Sequence, residues 1–274
     1  MFYQLEILSD EQCGKLQTIR NFIKNLSSVC VAYSGGVDST LVASLAFEQL
    51  GSKAIAVTGV SPALAKTLLD EAKSQAKWIG IQHLEIETSE LEQSSYSTNP
   101  KNRCFACKKE LHKHTSYLSE KLNYQTICDG VNHDDLNDFR PGIQAAKEAG
   151  VISPLAKFNF TKKDIRDISK ALGFPWWDKP AQPCLSSRFP YGLSITNERL
   201  NMVEKAEEYI KKGGISEVRV RCHGSTARIE IPQDELKIFC QEFDFHELIN
   251  YFSNLGFEST SLDLEGLVSG KLNR

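Results

Sequence analysis

The stretch VCVAYSGGVDSTLVASLAFEQL (29–50) contains the change of pattern that decides the fold. Its first four residues form an apolar run of strand length, whereas residues 40–50 continue as an apolar helical segment that Gly51 ends. The turn between them, YSGGVDS (33–39), therefore connects a buried strand to a helix. The rest of the fold prediction extends this unit in both directions.

Helical and strand patterns alternate along the first two thirds of the chain. Such alternation predicts an α/β fold in which a doubly wound parallel sheet is covered by helices on both faces, and we expect it to extend to about Pro180. The predicted helices are 16–26, 40–50, 63–80, 108–122 and 143–150, and the predicted strands are 29–32, 54–60, 83–86 and 126–130.

The pattern changes after residue 180. A long amphipathic helix (197–212) precedes two extended segments (217–222 and 226–231), and a last helix (234–255), interrupted near Phe243, precedes a closing strand and loop. We therefore predict two domains: 1–180, an α/β domain that contains the glycine turn, and 181–274, a small α+β domain.

Composition places the chain among ordinary globular proteins. It has 274 residues with 41% hydrophobic and 24% charged residues, and the net charge of -3 argues against a nucleic-acid-coating surface. The start, MFYQLEILSDEQ, lacks a signal-peptide pattern, and no apolar run reaches membrane-spanning length. We expect a cytoplasmic protein, in which eight cysteines do not form a disulfide framework.

The glycine turn has the properties of an anion site. Gly35 and Gly36 can adopt positive φ and let the backbone approach a ligand, and the helix that follows offers unpaired N–H groups. Ser34 and Ser39 add hydroxyl donors, whereas Asp38 fits only if it caps the helix or holds Mg²⁺. The turn is neither a Walker A loop nor a GxGxxG turn.

SGGVDS (34–39) resembles the PP-loop of the ATP pyrophosphatase superfamily. The resemblance implies that Ser34, Gly35, Gly36, Val37, Asp38 and Ser39 bind ATP. It also implies cleavage of ATP to AMP and pyrophosphate, with adenylation of a carboxylate or carbonyl oxygen. The acceptor is left open by this motif.

Three cysteines lie outside apolar surroundings. Cys104 and Cys107 form a CxxC pair beside basic residues, on what we predict to be a loop, and Cys184 lies between prolines in a second loop. Three thiolates can hold an iron–sulfur cluster with one iron open to an exogenous ligand. The alternatives are that Cys184 acts alone, that the thiols hold zinc, or that they bind no metal.

Longer motifs narrow the resemblance to one family. NPKNRCFACKKELH (99–112), DGVNHDDLNDFRPG (129–142), WWDKPAQPCLSSRFPYG (176–192) and SLDLEGLVSG (261–270) resemble the LarE family of sulfur transferases. The resemblance implies that 1–180 is a nucleotide-binding PP-loop domain and that 181–274 is a small domain for substrate binding and oligomerisation. It further implies a homo-oligomer, usually a hexamer. It also implies a role in making the nickel-pincer nucleotide cofactor of lactate racemase.

The implied reaction activates a carboxylate of pyridinium-3,5-biscarboxylic acid mononucleotide with ATP and Mg²⁺ and converts it to a thiocarboxylate. In the single-cysteine branch of the family, the cysteine matching Cys184 gives up its own sulfur. The additional pair, Cys104 and Cys107, resembles the three-cysteine branch, in which a [4Fe-4S] cluster delivers sulfide. Cys184 and Asp38 are therefore the catalytic candidates, and Cys104, Cys107 and Cys184 the candidate cluster ligands.

Arginines supply candidate phosphate ligands. Arg219 and Arg221 project to one face of a predicted strand, and Arg188 follows Cys184 closely. These three could hold the substrate phosphate, with Arg228 a weaker candidate, or they could form a solvated hairpin face. Glu207 and Asp234 are possible supporting partners.

The polar residues of the loop after residue 128 also allow two interpretations. Asp129, Asn132 and Asp135 are candidates for ATP or Mg²⁺ contacts, and they could equally be capping groups of the loop.

Other functions remain open at this point. A cluster-dependent tRNA thiolase would share the PP-loop and the three cysteines, although the acidic chain offers no recognisable RNA-binding domain. An amidating ligase of the NAD or GMP synthetase kind would explain the turn but not the cysteines. A non-enzymatic nucleotide sensor or iron–sulfur scaffold would bind ATP without releasing pyrophosphate.

Overall fold

The computed structural model describes residues 4–137, 140–268 and 271. Residues 138–139 of the DGVNHDDLNDFRPG motif and 269–270 of the SLDLEGLVSG motif lie outside the described residues. The chain forms two compact units: Met1–Glu90 with Asn102–Gln182, and Leu91–Lys101 with Pro183–Arg274. The segment Leu91–Lys101, which interrupts the first unit along the sequence, belongs to the second.

A parallel sheet forms the centre of the first unit, as predicted. Its strands are β1 (Val29–Ala32), β2 (Ala54–Val60), β3 (Gln82–Glu87) and β4 (Thr126–Cys128), in the order β3-β2-β1-β4. A single parallel bridge between Cys128 and Ile152 continues the sheet beyond β4. Because all four strands run in the same direction, their carboxyl ends meet at one edge, where ligands of such sheets bind.

The helices of the first unit account for most of the intervening chain. They are α1 (Asp10–Lys24), α2 (Val37–Leu50), α3 (Lys66–Ile79), α5 (Arg103–Lys121), α6 (Pro141–Glu148), α7 (Pro154–Lys157) and α8 (Lys162–Ala171), whereas α4 (Ser94–Ser97) belongs to the second unit. Helix α8 was not predicted from the sequence. A capping box starts it, in which the Thr161 hydroxyl accepts from the backbone N–H of Asp164.

The core of the first unit lies between the sheet and the helices α1, α2 and α8. All four residues of β1 are buried, and α2 is buried along most of its length, from Val37 to Ala46. This explains why the residues of both elements are almost wholly apolar or small. Burial of β1 and α2 holds both ends of the turn between them in place, whereas Ser34 within the turn is exposed.

The second unit contains an α+β arrangement. Helix α9 (Asn197–Lys212) precedes the antiparallel pair β5 (Arg219–His223) and β6 (Thr226–Glu230), and β7 (Ser259–Leu262) pairs parallel to β6. Helices α10 (Leu236–Glu242) and α11 (Phe245–Leu255) are separated at Phe243, so the predicted interruption is confirmed.

Asn99 fastens the segment Leu91–Lys101 within the second unit. It is fully buried with a left-handed backbone (φ 57), and its amide nitrogen donates to the carbonyls of Pro190 (2.8 Å), Leu193 (3.1 Å) and Phe189 (3.3 Å). An asparagine tolerates this conformation better than most residues, and its side chain satisfies three carbonyls of a distant loop.

Across the described residues, no helix is long and apolar enough to cross a membrane.

Candidate active site

The turn between β1 and α2 has the backbone that its glycines suggested. Gly35 has φ +69, and a Cβ there would lie 2.9 Å from Cβ of Ala72 on α3. Gly36 is the residue before α2, and no side chain caps the first N–H groups of that helix. The N-terminal end of α2 therefore presents N–H groups and the positive end of the helix dipole at the carboxyl edge of the sheet.

Serine hydroxyls stabilise the turn internally. Ser39 Oγ donates to the carbonyl of Gly36 (3.1 Å), accepts from the N–H of Ser34 (3.2 Å) and lies 3.1 Å from Ser34 Oγ. These bonds hold the six residues in one compact conformation. Nucleotide binding by Ser34, Gly35, Gly36, Val37, Asp38 and Ser39 stays a prediction, which this shape suits.

Gly130 packs directly against the start of α2. A Cβ on Gly130 would lie 2.5 Å from the backbone nitrogen of Ser39, closer than any real side chain approaches. The preceding residue, Asp129, is buried, and burial raises the pKa of its carboxyl group although the N–H of Val131 donates to it. The end of β4 is therefore adjacent to the glycine turn.

Asp38 is paired with a lysine that the sequence analysis did not identify. Lys162 Nζ lies 2.6 Å from Asp38 Oδ2, and Asn132 Nδ2 donates to Asp38 Oδ1 at 3.4 Å. Lys162 is the first residue of α8, and its backbone N–H donates to Asp134 at 2.8 Å. The Thr161-x-x-Asp164 capping box could have signalled the start of this helix, but nothing in the sequence signals the approach to Asp38.

The loop that follows β4 is closed by reciprocal bonds. The N–H of Asn132 donates to Asp135 Oδ2 and the N–H of Asp135 donates to Asn132 Oδ1, each at 3.1 Å. Arg140 lies 2.9 Å from the other oxygen of Asp135. Burial, with Asp38 adding like charge, raises the pKa of Asp135. The capping role considered for Asn132 and Asp135 is thus present, and a contact with ATP or Mg²⁺ stays a prediction.

Cys104 and Cys107 lie on a helix, so the prediction that they lie on a loop was wrong. Helix α5 begins at Arg103, five residues before its predicted start, and both thiols lie in its first turns, three residues apart and therefore on one face. Cys104 is exposed and Cys107 half-buried. A helical CxxC pair, like one on a loop, directs two sulfurs to one side.

Cys184 is exposed in the second unit, directly before a short 3₁₀ helix (Leu185–Arg188). Within the described residues, no group of three or more His, Cys, Asp or Glu side chains could hold a metal ion. Joint ligation by Cys104, Cys107 and Cys184 therefore stays a prediction, as does the catalytic role of Cys184.

Two of the predicted phosphate-binding arginines are paired with buried carboxylates. Arg188 forms a bidentate pair with Glu207, with Nε–Oε1 at 2.7 Å and Nη2–Oε2 at 2.9 Å. Burial by itself would lower the pKa of Arg188, but Glu207 outweighs it and the pKa is raised. Arg221 Nε donates to Glu230 at 2.9 Å and its Nη1 to the carbonyl of Ser187 at 2.6 Å.

Arg219 differs from those two arginines. It is half-buried, and its guanidinium forms no hydrogen bond or ion pair among the described residues. Burial lowers its pKa, and the cationic Arg188 and Arg221 lower it further. A group in that position is stabilised by an anion. Of the three predicted phosphate ligands, Arg219 is the one that the structure leaves available.

The second unit contains a cavity of about 340 Å³, and Arg219 is not among its lining residues. Its walls include Arg188, Arg221, Arg228, His223, Lys271 and Glu265. Arg228 bonds Glu230 at 2.9 Å and approaches Asp263 at 3.4 Å. Glu207 supports Arg188, and it also accepts from the N–H of Val220 at 2.9 Å. Arg221 and Arg228, which are directly opposite each other on β5 and β6, both line this cavity.

Known proteins resemble the chain along nearly its whole length, although no family model matches it. It is 52% identical over 261 residues to an uncharacterized protein of Synechocystis, covering 95% of this chain and 97% of that protein. It is 34% identical over 261 residues, 94% of each chain, to the pyridinium-3,5-bisthiocarboxylic acid mononucleotide synthase of Lactiplantibacillus plantarum.

A more distant similarity reaches beyond those two proteins. One subunit of the glutamine-hydrolyzing GMP synthase of Saccharolobus islandicus is 28% identical over 210 residues, 67% of this chain and 54% of that protein. The parallel sheet and glycine turn are consistent with the PP-loop fold that this similarity supports. The full-length match to the synthase decides the narrower assignment: the chain belongs to the LarE family of the PP-loop superfamily.

Proposed function

We propose that the chain is an ATP-dependent sulfur transferase that converts a carboxylate of pyridinium-3,5-biscarboxylic acid mononucleotide to a thiocarboxylate. The observation that carries the proposal is the similarity to a synthase of the bisthiocarboxylic acid mononucleotide over 94% of both chains. The glycine turn at the carboxyl edge of the parallel sheet supports it, because a triphosphate suits the N–H groups of α2.

The first step activates the substrate. The N–H groups at the start of α2 and the Ser34 hydroxyl hold the triphosphate while a substrate carboxylate oxygen attacks the α-phosphorus and pyrophosphate leaves. Lys162, 2.6 Å from Asp38, supplies positive charge beside the phosphates. Mg²⁺, with Asp38 as its ligand, would neutralise further charge on the triphosphate.

The second step transfers sulfur. The thiolate of Cys184 attacks the acyl carbon of the adenylate and expels AMP, giving a thioester. Removal of the Cα proton of Cys184 then breaks its Cβ–S bond, which leaves the thiocarboxylate and converts the residue to dehydroalanine. The sulfur of the thiocarboxylate comes from Cys184, so these two steps need no external sulfur donor.

Cys104 and Cys107 point to the alternative sulfur source. Their helical spacing suits two ligands of a [4Fe-4S] cluster, and we propose Cys184 as the third. Such a cluster would supply an open iron that binds exogenous sulfide, so Cys184 would keep its sulfur.

Arg219 is proposed to bind the phosphate of the substrate mononucleotide. A phosphate would relieve the repulsion among Arg219, Arg188 and Arg221 that lowers the pKa of Arg219. The salt bridges of Arg188 with Glu207 and of Arg221 with Glu230 hold the other two guanidinium groups in place. We also propose that the chain forms a homo-oligomer, which light scattering would test.

Pyrophosphate release tests the activation step. We expect release that requires both ATP and the pyridinium mononucleotide and is abolished by Asp38→Ala. Lys162→Met should reduce it by about 100-fold, the usual effect of removing one charge-stabilising group. Lys163→Met is the matched control, because Lys163 is 82% exposed and pairs with Asp167 on the same helix.

Other outcomes identify the rival functions. Release stimulated by tRNA would replace the proposal with a thiolase, and release dependent on ammonia would indicate an amidating ligase. ATP binding without any pyrophosphate release would favour the non-enzymatic sensor.

Intact mass and metal content separate the two sulfur sources. After turnover without added sulfide, loss of the mass of H₂S at Cys184 identifies sacrifice of that cysteine. Anaerobically purified protein that contains iron and sulfide, and loses both in Cys104→Ala, Cys107→Ala and Cys184→Ala, identifies the cluster. Full iron content in all three variants would refute joint ligation.

A further inference from the structure

The first unit contains a cavity to which the proposed function assigns no part of the substrate. It is a shallow cavity of about 690 Å³, widely open to solvent, between α3 and the segment 176–182 that follows α8. This volume is within the range of small-molecule sites. Both walls belong to the first unit.

Two tryptophans form a corner of this cavity. The rings of Trp78 and Trp176 have centroids 5.1 Å apart and planes at 81°, and Trp78 is 46% exposed. The ring of Phe174 contacts both indoles, with centroid distances of 5.6 Å to Trp78 and 5.8 Å to Trp176. Aromatic faces held at right angles in this way suit a flat ring, and they favour a cationic one.

The charges in the cavity favour a cation. Three carboxylates, from Asp70, Glu71 and Asp178, contribute to its lining, whereas Lys179 is its one cationic residue, so the formal charge is 1 minus 3, or -2. Lys179 Nζ is already paired with Glu71 at 2.5 Å. Asp70 and Asp178 form no ion pair among the described residues, and thus remain to attract a positive ligand.

A buried amide adds hydrogen-bond donors. Gln75 is 5% exposed, and its Oε1 accepts from Tyr33 OH (3.1 Å) and Thr40 Oγ1 (3.0 Å). With both hydroxyls directed at the oxygen, the Nε2 group keeps two N–H donors that bond no acceptor in the described part of the chain. Because Gln75 lines the cavity, these donors suit a carboxylate on the ligand.

The cavity is structurally continuous with the glycine turn. Lys179 Nζ donates to the carbonyl of Gly35 at 3.2 Å, and Gly35 packs on Ala72 of α3, one turn from Gln75. Tyr33 and Thr40, the two residues that bond Gln75, flank the same turn. A ligand in the cavity would therefore lie against the elements that shape the predicted triphosphate site.

We propose that this cavity binds the cationic, carboxylate-bearing pyridine ring of the substrate, an inference that rests on the proposed function. The indole faces of Trp78 and Trp176 and the charges of Asp70 and Asp178 recognise the positive ring. The two N–H donors of the Gln75 amide bind a ring carboxylate, while Lys179 stays paired with Glu71. The positive ring is what separates this ligand from the uncharged purine of ATP.

Fluorescence titration tests the proposal without turnover. The probes are 1-methylpyridinium-3-carboxylate and benzoate, which share a ring-bound carboxylate and differ in ring charge. We expect saturable tryptophan quenching by the pyridinium and about tenfold weaker binding of benzoate, within the range of one cation–π contact. Trp78→Leu and Trp176→Leu should each weaken pyridinium binding about tenfold.

Trp177→Leu provides the matched control. Trp177 is adjacent in sequence but does not line the cavity, and the amine of Lys170 lies 5.3 Å from its ring centroid. This variant should keep the affinity and leave the fluorescence to the two cavity tryptophans. Asp178→Asn changes an exposed side chain, so we expect the fold to be kept. It should weaken binding of the pyridinium but not of benzoate.

The outcomes separate this proposal from the proposed function. Equal affinity for the two probes, or an unchanged affinity in Asp178→Asn and both cavity variants, overturns the cavity assignment. In the pyrophosphate assay, Trp78→Leu should raise the KM for the pyridinium substrate about tenfold and leave that for ATP unchanged. Release that requires no pyridinium compound would overturn the proposed function, whereas the titration would still decide what the cavity binds.

Discussion

His112 on α5 makes the stability of the first unit depend on pH. Its side chain is 1% exposed, and neither ring nitrogen bonds a partner among the described residues. Burial, with Lys108 adding like charge one turn away, lowers its pKa from 6.5 to about 4. The folded unit therefore keeps this histidine neutral at pH values where the unfolded chain protonates it.

The size of the effect follows from the two pKa values. Above pH 6.5 both states are neutral, so the full stability is present, and it is lost as the pH falls from 6.5 towards 4. A shift from 6.5 to about 4 corresponds to about 3.4 kcal/mol below pH 4, of which about 2 kcal/mol is lost between pH 7 and pH 5.

Urea unfolding followed by tryptophan fluorescence measures this loss, because Trp78, Trp176 and Trp177 all belong to the first unit. Other groups also titrate in this range, so the quantity of interest is the difference between the wild type and His112→Leu. The variant should lose about 2 kcal/mol less between pH 7 and pH 5. It should be at least as stable at pH 7, because leucine removes an unsatisfied polar group. Identical pH dependence in the two proteins would refute the reasoning.

Two further expectations concern packing. Gly130→Ala should destabilise the first unit by about 1–3 kcal/mol and abolish ATP binding in calorimetry, because the added Cβ would lie 2.5 Å from the backbone nitrogen of Ser39. Gly14→Ala is the control. Gly14 has open space around it on α1, so this change should stabilise the unit by up to about 1 kcal/mol. Unchanged ATP affinity in Gly130→Ala would contradict the close packing. Glu207→Gln should cost the second unit about 3–5 kcal/mol in circular-dichroism melts, since it leaves the buried charge of Arg188 without a carboxylate, and a loss below 1 kcal/mol would show that the pair is solvated.

The sequence by itself determined those helices and strands whose ends are marked by nearby residues. The bounds predicted for β1, β2 and α9 agree with the structure to the residue. Glycines or a change of hydrophobic period mark the ends of these elements, and burial of a continuous apolar run leaves few alternatives. The glycine turn was recognisable for the same reason, since the positive φ of Gly35 is a property that few other residues tolerate.

Elements with weaker local signals were mislocated. Helix α8 was missed although its buried Ile165, Ile168 and Ala171 are spaced three residues apart, because more than half of its ten residues are charged and the apolar face is short. Helix α5 starts earlier than its apolar spacing indicated, because Arg103, a polar residue, is buried at its first position. Burial of a charged residue depends on partners elsewhere in the fold, which a periodicity argument does not include.

Only the tertiary structure decided which side chains meet. Lys162 reaches Asp38 across 124 residues of sequence, and Glu207 and Glu230 neutralise two arginines that were expected to be available for phosphate. The cavity walls formed by Trp78 and Trp176 are likewise brought together from distant segments. Sequence patterns record the preference of each residue for burial or exposure, whereas pairing energies depend on distances that exist only after the chain has folded.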